Sequence, residues 1–190
     1  MLQFFGIVSG LLPLIAGFPY IKDILKKKTK PHRSAFLIWT VLGTIAFLTQ
    51  AANGATWSLL LTAADTLVTL AIFLFAIKYG TGGYSKRDIG ALLLAGIGLI
   101  IWYFTKQPMT ALLITIGVDA IGAVLTIIKT YEDPQSETFS SWLLASLGGL
   151  FAALAVGELS FALLVYPLYI FIANGAVDVV ILIRKQKIAK

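Results

Sequence analysis

The sequence predicts an all-α membrane protein with seven transmembrane helices, and three observations support this fold class. Only 13% of the 190 residues are charged, which is about half the share found in soluble domains. Hydrophobic residues make up 58% of the chain, and the mean hydropathy is +0.90. The apolar residues form runs of about 20 separated by short polar breaks, and a run of that length crosses a bilayer as a helix.

The first predicted span covers residues 4–24. We expect a retained helix there, because no basic segment precedes the apolar run and lysines follow it in place of a cleavage site. The further predicted spans are 34–53, 56–80, 88–105, 108–129, 138–157 and 159–183. The breaks at "NGATW" and "VGELS" are very short. A single helix through either break would be about 45 residues long, twice what a bilayer requires.

The basic residues predict the orientation of these spans. Alternate breaks face the same side of the membrane, and one side collects every Lys and Arg except Lys106. The positive-inside rule makes this side cytoplasmic. We therefore expect a multi-pass plasma (inner) membrane protein with its N-terminus outside and its C-terminus in the cytoplasm. The basic loop "KKKTKPHR" at residues 26–33 is expected to contact anionic lipid heads, so we expect no nucleic-acid partner. His32, in this loop, is expected at the surface.

An internal repeat relates the two ends of the chain. At an offset of 103 residues, "KKKTKPHRSAFLIW" aligns without a gap with "KTYEDPQSETFSSW". The identical pairs are Lys26 and Lys129, Pro31 and Pro134, Phe36 and Phe139, and Trp39 and Trp142. Because each copy has three spans, an odd number, one further span between the copies is needed to keep them parallel. The prediction is a 3+1+3 layout: repeat 1 at 1–80, a linker helix within 81–107, and repeat 2 at 108–190.

This layout and the segment "PYIKDILKKKTKPHRSAFLIW" resemble the PQ-loop superfamily, which includes the SWEET-like (MtN3) transporters. Pro19 matches the family's proline near the inner end of span 1, and Ser34 matches its small polar residue opening span 2. Tyr20 stands where the family has Gln, and Gly122 where the repeat predicts a second proline. The resemblance implies alternating-access transport, with Asn174 on span 7 as a substrate ligand. Pro19 and Pro167 are the candidate hinges.

Polar residues at mid-membrane depth mark the candidate site, because a charge there is costly and usually faces a cavity or a partner. Asp119 lies near the middle of span 5, and Asp65 lies in the outer half of span 3. Small and polar residues recur at helical spacing on spans 5 and 7, and similar stripes occur on spans 1 and 3. The two stripes are Thr115, Asp119, Gly122 and Thr126, and Pro167, Phe171, Asn174 and Asp178. We expect these stripes to line one shared cavity.

The predicted substrate-binding residues are Asp119, Asn174, Asp65, Tyr20, Trp39 and Trp142. Asp119 is also the proton-coupling candidate, since a carboxyl at that depth is costly to ionise. Two alternatives stay open. The small and polar residues can serve helix packing and interhelical hydrogen bonding, and the two tryptophans can belong to an interfacial belt.

No P-loop, His/Cys cluster or G-x-S-x-G elbow occurs in the chain, and it contains no cysteine. We therefore predict no enzymatic activity, no cofactor and no metal site. The predicted function is secondary transport of a small polar solute, and the two acids favour a cationic or zwitterionic one over a sugar. The alternative is a non-transporting receptor or scaffold of the same fold that binds a peptide, a lipid or a partner protein. A homo-oligomer stays open.

Overall fold

A computed structural model describes residues 2–52, 57–105, 108–156 and 161–188, and these parts of the chain are all-α. They form α1 (Leu2–Leu25), α2 (Arg33–Ala52), α3 (Trp57–Tyr79), α4 (Lys86–Phe104), α5 (Pro108–Glu132), α6 (Phe139–Ala155) and α7 (Phe161–Ile188). The predicted all-α class is confirmed, and the helices follow the predicted spans in order. Lys106 and most of the two short predicted breaks lie outside the described residues.

Four helical segments in the described residues are long and apolar enough to cross a membrane. They are Leu2–Leu25, Lys86–Phe104, Leu112–Glu132 and Leu164–Gln186. The helix α6 is also strongly apolar but has only 17 residues. Large apolar side chains such as Phe18, Leu93 and Ile172 point outward and are exposed. An apolar surface of this extent suits contact with lipid.

The packing of the helices follows a regular pattern. The helices α1 and α2 both pack against α3, and α5 and α6 both pack against α7. Across the molecule, α1 packs against α6, and α2 packs against α5. The remaining helix, α4, packs mainly against α5 and touches α2. Six helices thus surround a common interior, while α4 lies outside it.

Prolines in α1 and α7 and a glycine in α6 shape the helices beside this interior. Pro19 continues α1 and Pro167 continues α7 as helix interior residues, although proline removes a backbone donor and tends to kink a helix. Their role as hinges stays a prediction. On α6, a Cβ at Gly149 would lie 2.6 Å from the backbone nitrogen of Phe171 and 2.9 Å from the carbonyl oxygen of Pro167. Only glycine lets α6 approach the α7 backbone so closely.

The basic loop at residues 26–33 is more buried than the sequence predicts. Its backbone pairs with the α3–α4 connection, where Thr81 N donates to Pro31 O and Arg33 N donates to Thr81 O, both at 2.9 Å. His32 is only 1% exposed, so its expected surface position is wrong. The reason is the turn at Gly82, whose φ of +74° folds the connection over the imidazole.

Candidate functional site

A cavity of about 550 Å³ lies among the six packed helices. All six residues predicted to bind substrate line it: Tyr20 from α1, Trp39 from α2, Asp65 from α3, Asp119 from α5, Trp142 from α6 and Asn174 from α7. Each helix that surrounds the interior contributes one of them. The described lining contains no residue of α4. The structure therefore brings the predicted set together, and its role in substrate binding stays a prediction.

Asp119 is the most constrained polar group in the cavity. Tyr169 Oη donates a hydrogen bond of 2.6 Å to Asp119 Oδ2, and Trp39 Nε1 donates one of 3.3 Å to the Asp119 backbone oxygen. A Cβ on Gly122 would lie 2.8 Å from Trp39 Nε1. Gly122, which stands where the repeat predicts a proline, therefore makes room for the indole of Trp39.

Asp65 supplies a second carboxyl to the cavity lining. It is exposed, whereas Tyr20 and Trp142 are 3% and 6% exposed. Among the described residues, the lining is thus exposed at Asp65 and buried at these two aromatic residues. The described lining contains these two carboxyls and no lysine, arginine or histidine. In a site of low polarity, such a lining attracts positive charge.

Asn174 and Pro167 line the cavity, but the predicted stripe on α7 is rotated relative to the real one. The lining face of α7 includes Ile170 and Ala173 and does not include Phe171 or Asp178. Asn174 Nδ2 donates to Ile170 O at 2.9 Å, which fixes the side chain against its own helix. The shared-cavity expectation therefore fails for Phe171 and Asp178. On α5 it holds for Thr115 and Asp119 and fails for Gly122 and Thr126, which are not part of the lining.

Four aromatic rings close one end of the cavity. The ring centroids of Trp39 and Trp142 lie 6.0 Å apart, and the Tyr20 ring contacts those of Phe36 and Trp142 at 5.6 and 6.1 Å. These rings pack edge to face or tilted, as aromatic pairs prefer. Trp142 is buried and Trp39 lines the cavity. The two tryptophans are therefore a wall of the cavity, and their assignment to an outward-facing belt is wrong.

A buried ionic network lies directly behind this wall, and we call it the Glu137 network. Glu137 Oε2 accepts hydrogen bonds from Tyr20 Oη at 2.7 Å and from Trp142 Nε1 at 2.8 Å. Glu137 Oε1 pairs with Lys129 Nζ, which also donates to Lys30 O at 2.6 Å. Lys129 and Glu137 are 5% and 4% exposed. Buried charges of this kind need such complete pairing.

Sequence reasoning missed both Glu137 and Tyr169. The sequence predicts a place for Lys129 in the orientation and in the repeat, and gives no sign that the structure buries it. One signal was present: the repeat offset places Glu137 at the position of Ser34, so a charged residue replaces a small polar one. Tyr169 lies outside the α7 stripe, and no pattern in the sequence points to its contact with Asp119.

A second polar cluster joins the basic loop to the start of α4. Asp88 Oδ2 accepts from Gly83 N and Ser85 N at 2.8 and 3.1 Å, and Ser85 caps the helix. Asp88 Oδ1 lies 3.2 Å from His32 Nε2. Burial lowers the pKa of His32 to about 4 and outweighs the opposing attraction of Asp88. The imidazole is therefore neutral at pH 7 and serves the structure of this junction.

The described residues contain no group of three or more His, Cys, Asp or Glu side chains placed to hold a metal ion. What the cavity offers instead is charge and aromatic surface: two carboxyls and a set of packed rings in one lining. Such a lining can bind a solute that carries positive charge, through ion pairing and cation–π contact. No protein-family model matches the chain, and neither a curated protein nor a solved structure matches it.

Proposed function

We propose that the protein is a secondary transporter of a small cationic or zwitterionic solute, working by alternating access. The observation that carries this proposal is the cavity of about 550 Å³, with two carboxyls and no basic side chain in its described lining. That volume lies within the range of small-molecule sites. An uncompensated carboxylate in a low-dielectric interior is costly. A cationic group of the solute supplies the missing charge, and the rings of Trp39 and Trp142 add cation–π attraction.

The proposal includes seven spans in the 3+1+3 layout of the PQ-loop superfamily, with the N-terminus outside. The packing supports it, since α3 stands to α1 and α2 as α7 stands to α5 and α6. The contacts between the halves match in the same way, because α1–α6 and α5–α2 are equivalent pairs under the repeat. Two parallel bundles related in this manner can rock about a site between them.

The closed aromatic end of the cavity supports assigning this structure to one state of the proposed transport cycle. The Glu137 network and the four rings join residues 20–39 of the first half to residues 129–142 of the second. In the proposed orientation this end is cytoplasmic, and the open end near Asp65 faces outside. The structure then corresponds to an outward-facing state. Opening toward the cytoplasm requires Tyr20 and Lys30 to separate from Glu137 and Lys129.

Flux into proteoliposomes tests the proposal. Uptake of labelled putrescine and arginine is compared with uptake of glucose and succinate, which are neutral and anionic. We expect uptake of the cationic probes, reduced about tenfold or more in Asp119→Asn, because a charge-assisted contact is lost. Asp178→Asn is the matched control, since Asp178 is buried but lies outside the lining.

Saturable binding of putrescine without flux of any probe would overturn transport and favour the receptor alternative. Flux of glucose alone would overturn the charge selectivity and leave transport standing. Thermal stabilisation by a probe reports binding only. The role of Asp119 in proton coupling is tested by the pH dependence of uptake. Its polar neighbours are Tyr169 and Trp39, which donate hydrogen bonds to it, and Asp65, which lines the same cavity. Asp119→Asn with wild-type pH dependence would exclude that role.

A further inference from the structure

A second cavity of about 460 Å³ lies as a groove between α4 and α5, away from the proposed substrate site. We propose that this groove binds one anionic phospholipid, with its phosphate at Lys86 and Arg87 and an acyl chain along the apolar floor. Apart from these two basic residues at one end, the described lining is entirely apolar or glycine. Both helices are long and apolar enough to span a membrane.

The dimensions of the groove match one leaflet. Its lining extends from Lys86 to Leu94 on α4 and from Gly117 to Ile128 on α5. These segments are about 12 Å and about 16 Å long at the helical rise per residue. Half of the hydrocarbon layer is about 15 Å thick. An acyl chain that starts at the basic end therefore lies against apolar residues across the depth of one leaflet.

The glycines of the groove create space and do not serve close packing. A Cβ on Gly90 or on Gly117 would meet no atom within 4 Å. In contrast, a Cβ on Gly98, farther along α4, would overlap Val118 Cγ2. The helices therefore touch at Gly98 and leave a gap between there and the basic end. The gap exists because these glycines carry no side chain. Lipid is the solvent around the helices, so an acyl chain can occupy the gap.

The charges at the end of the groove select the head group. Lys86 and Arg87 are exposed, and basic pockets between membrane helices attract anionic lipid heads. Arg87 Nη1 lies 3.2 Å from Glu132 Oε1, and both side chains are largely exposed. That surface pair is weak and leaves further guanidinium donors for a phosphate.

Native mass spectrometry of the purified chain tests this site. Equal amounts of 1-palmitoyl-2-oleoyl phosphatidylglycerol and of the corresponding phosphatidylcholine are added, and retained lipid is counted. We expect phosphatidylglycerol to be retained about tenfold better, and Lys86→Gln/Arg87→Gln to abolish the preference. Lys26→Gln/Lys28→Gln removes the same charge elsewhere on the basic side and should keep it. Glu132→Gln should strengthen it, because a competing carboxylate is lost.

Filling the floor separates a groove site from simple surface attraction. Gly117→Leu should lower retention of both lipids at an unchanged melting temperature, and Gly90→Leu provides the same test should that variant fail to fold. Equal retention of the two lipids by the wild type would overturn the proposal, as would equal loss in Lys26→Gln/Lys28→Gln. A dimer that disappears in Gly117→Leu would also overturn it, since the groove would then hold a second copy.

Discussion

The carboxylate of Glu137 receives three side-chain donors in one buried position, from Tyr20, Trp142 and Lys129. Breaking a buried ion pair from one side costs about 3–5 kcal/mol, because the remaining charge has no partner. We expect Lys129→Met to lower the free energy of unfolding by about 3 kcal/mol or more. Lys129→Met/Glu137→Gln should recover part of that loss. Denaturant unfolding in micelles, followed by tryptophan fluorescence, measures both; a double variant less stable than Lys129→Met would contradict this account.

His32 makes stability depend on pH in a defined window. Burial lowers its pKa from 6.5 to about 4; the smaller effect of Asp88 raises the pKa, and Lys129 and Arg87 lower it further. Between these values the unfolded chain binds a proton that the folded chain does not, so the free energy of unfolding falls as the pH is lowered. The loss from pH 6.5 to 4 is about 3 kcal/mol.

The test compares the wild type with His32→Gln across that pH range. His32 is the single histidine of the chain, so we expect the variant to lose most of the dependence between pH 5 and 6.5. A variant with the same slope as the wild type would show that the imidazole is not responsible.

Single residues differ in how well the sequence predicts their positions. Asp119, Asp65 and Asn174 could be found because polar groups are rare and costly within apolar spans. Trp39 and Trp142 could be found because the repeat pairs them. Glu137 lies in a polar loop, where a charge is ordinary, so composition alone gives no reason to expect it to be buried beside the cavity.

At the level of elements, the contact between α6 and α7 depends on one glycine. A Cβ at Gly149 would lie within 3 Å of α7 backbone atoms, whereas at the adjacent Gly148 the nearest atom is a Pro13 side-chain carbon at 3.4 Å. We expect Gly149→Ala to be less stable than Gly148→Ala by about 1–3 kcal/mol, because the helices must move apart. Thermal unfolding of the two variants measures the difference, and equal stabilities would contradict the close approach.

The helices themselves could be predicted, but their rotation could not. Apolar runs determine where a spanning helix lies, because lipid requires internal hydrogen bonding of the backbone. The rotation of α7 depends on apolar positions such as Ile170 and Ala173, which line the cavity without any polar signal. The predicted stripe was therefore correct for Pro167 and Asn174 and wrong for Phe171.

At the scale of the whole molecule, the repeat predicts which helices are equivalent, and it makes no prediction of the state of the cavity. The absence of cysteine allows this state to be probed with single introduced thiols. We expect an impermeant thiol reagent added outside to label Ala152→Cys readily and Ser141→Cys slowly, because only Ser141 lies near the closed end. Both residues line the cavity. The unsubstituted chain, which has no cysteine, gives the background rate. Labelling of both variants at the same rate, above that background, would contradict an outward-facing cavity.

Within the Glu137 network, the two halves of the chain contribute unequally. The repeat equivalents of Lys129 and Glu137 are Lys26 and Ser34, and Lys26 is exposed. In the proposed cycle, opening separates Tyr20 and Lys30 from the Lys129–Glu137 pair, and hydration of the two charges returns much of the free energy that the lost contacts cost. The contacts with Tyr20 and Lys30 must break before water can reach the pair, so the network raises the barrier of opening more than it shifts the equilibrium. If the proposed cycle operates, the network sets the lifetime of the outward-facing state and leaves the population of that state nearly unchanged.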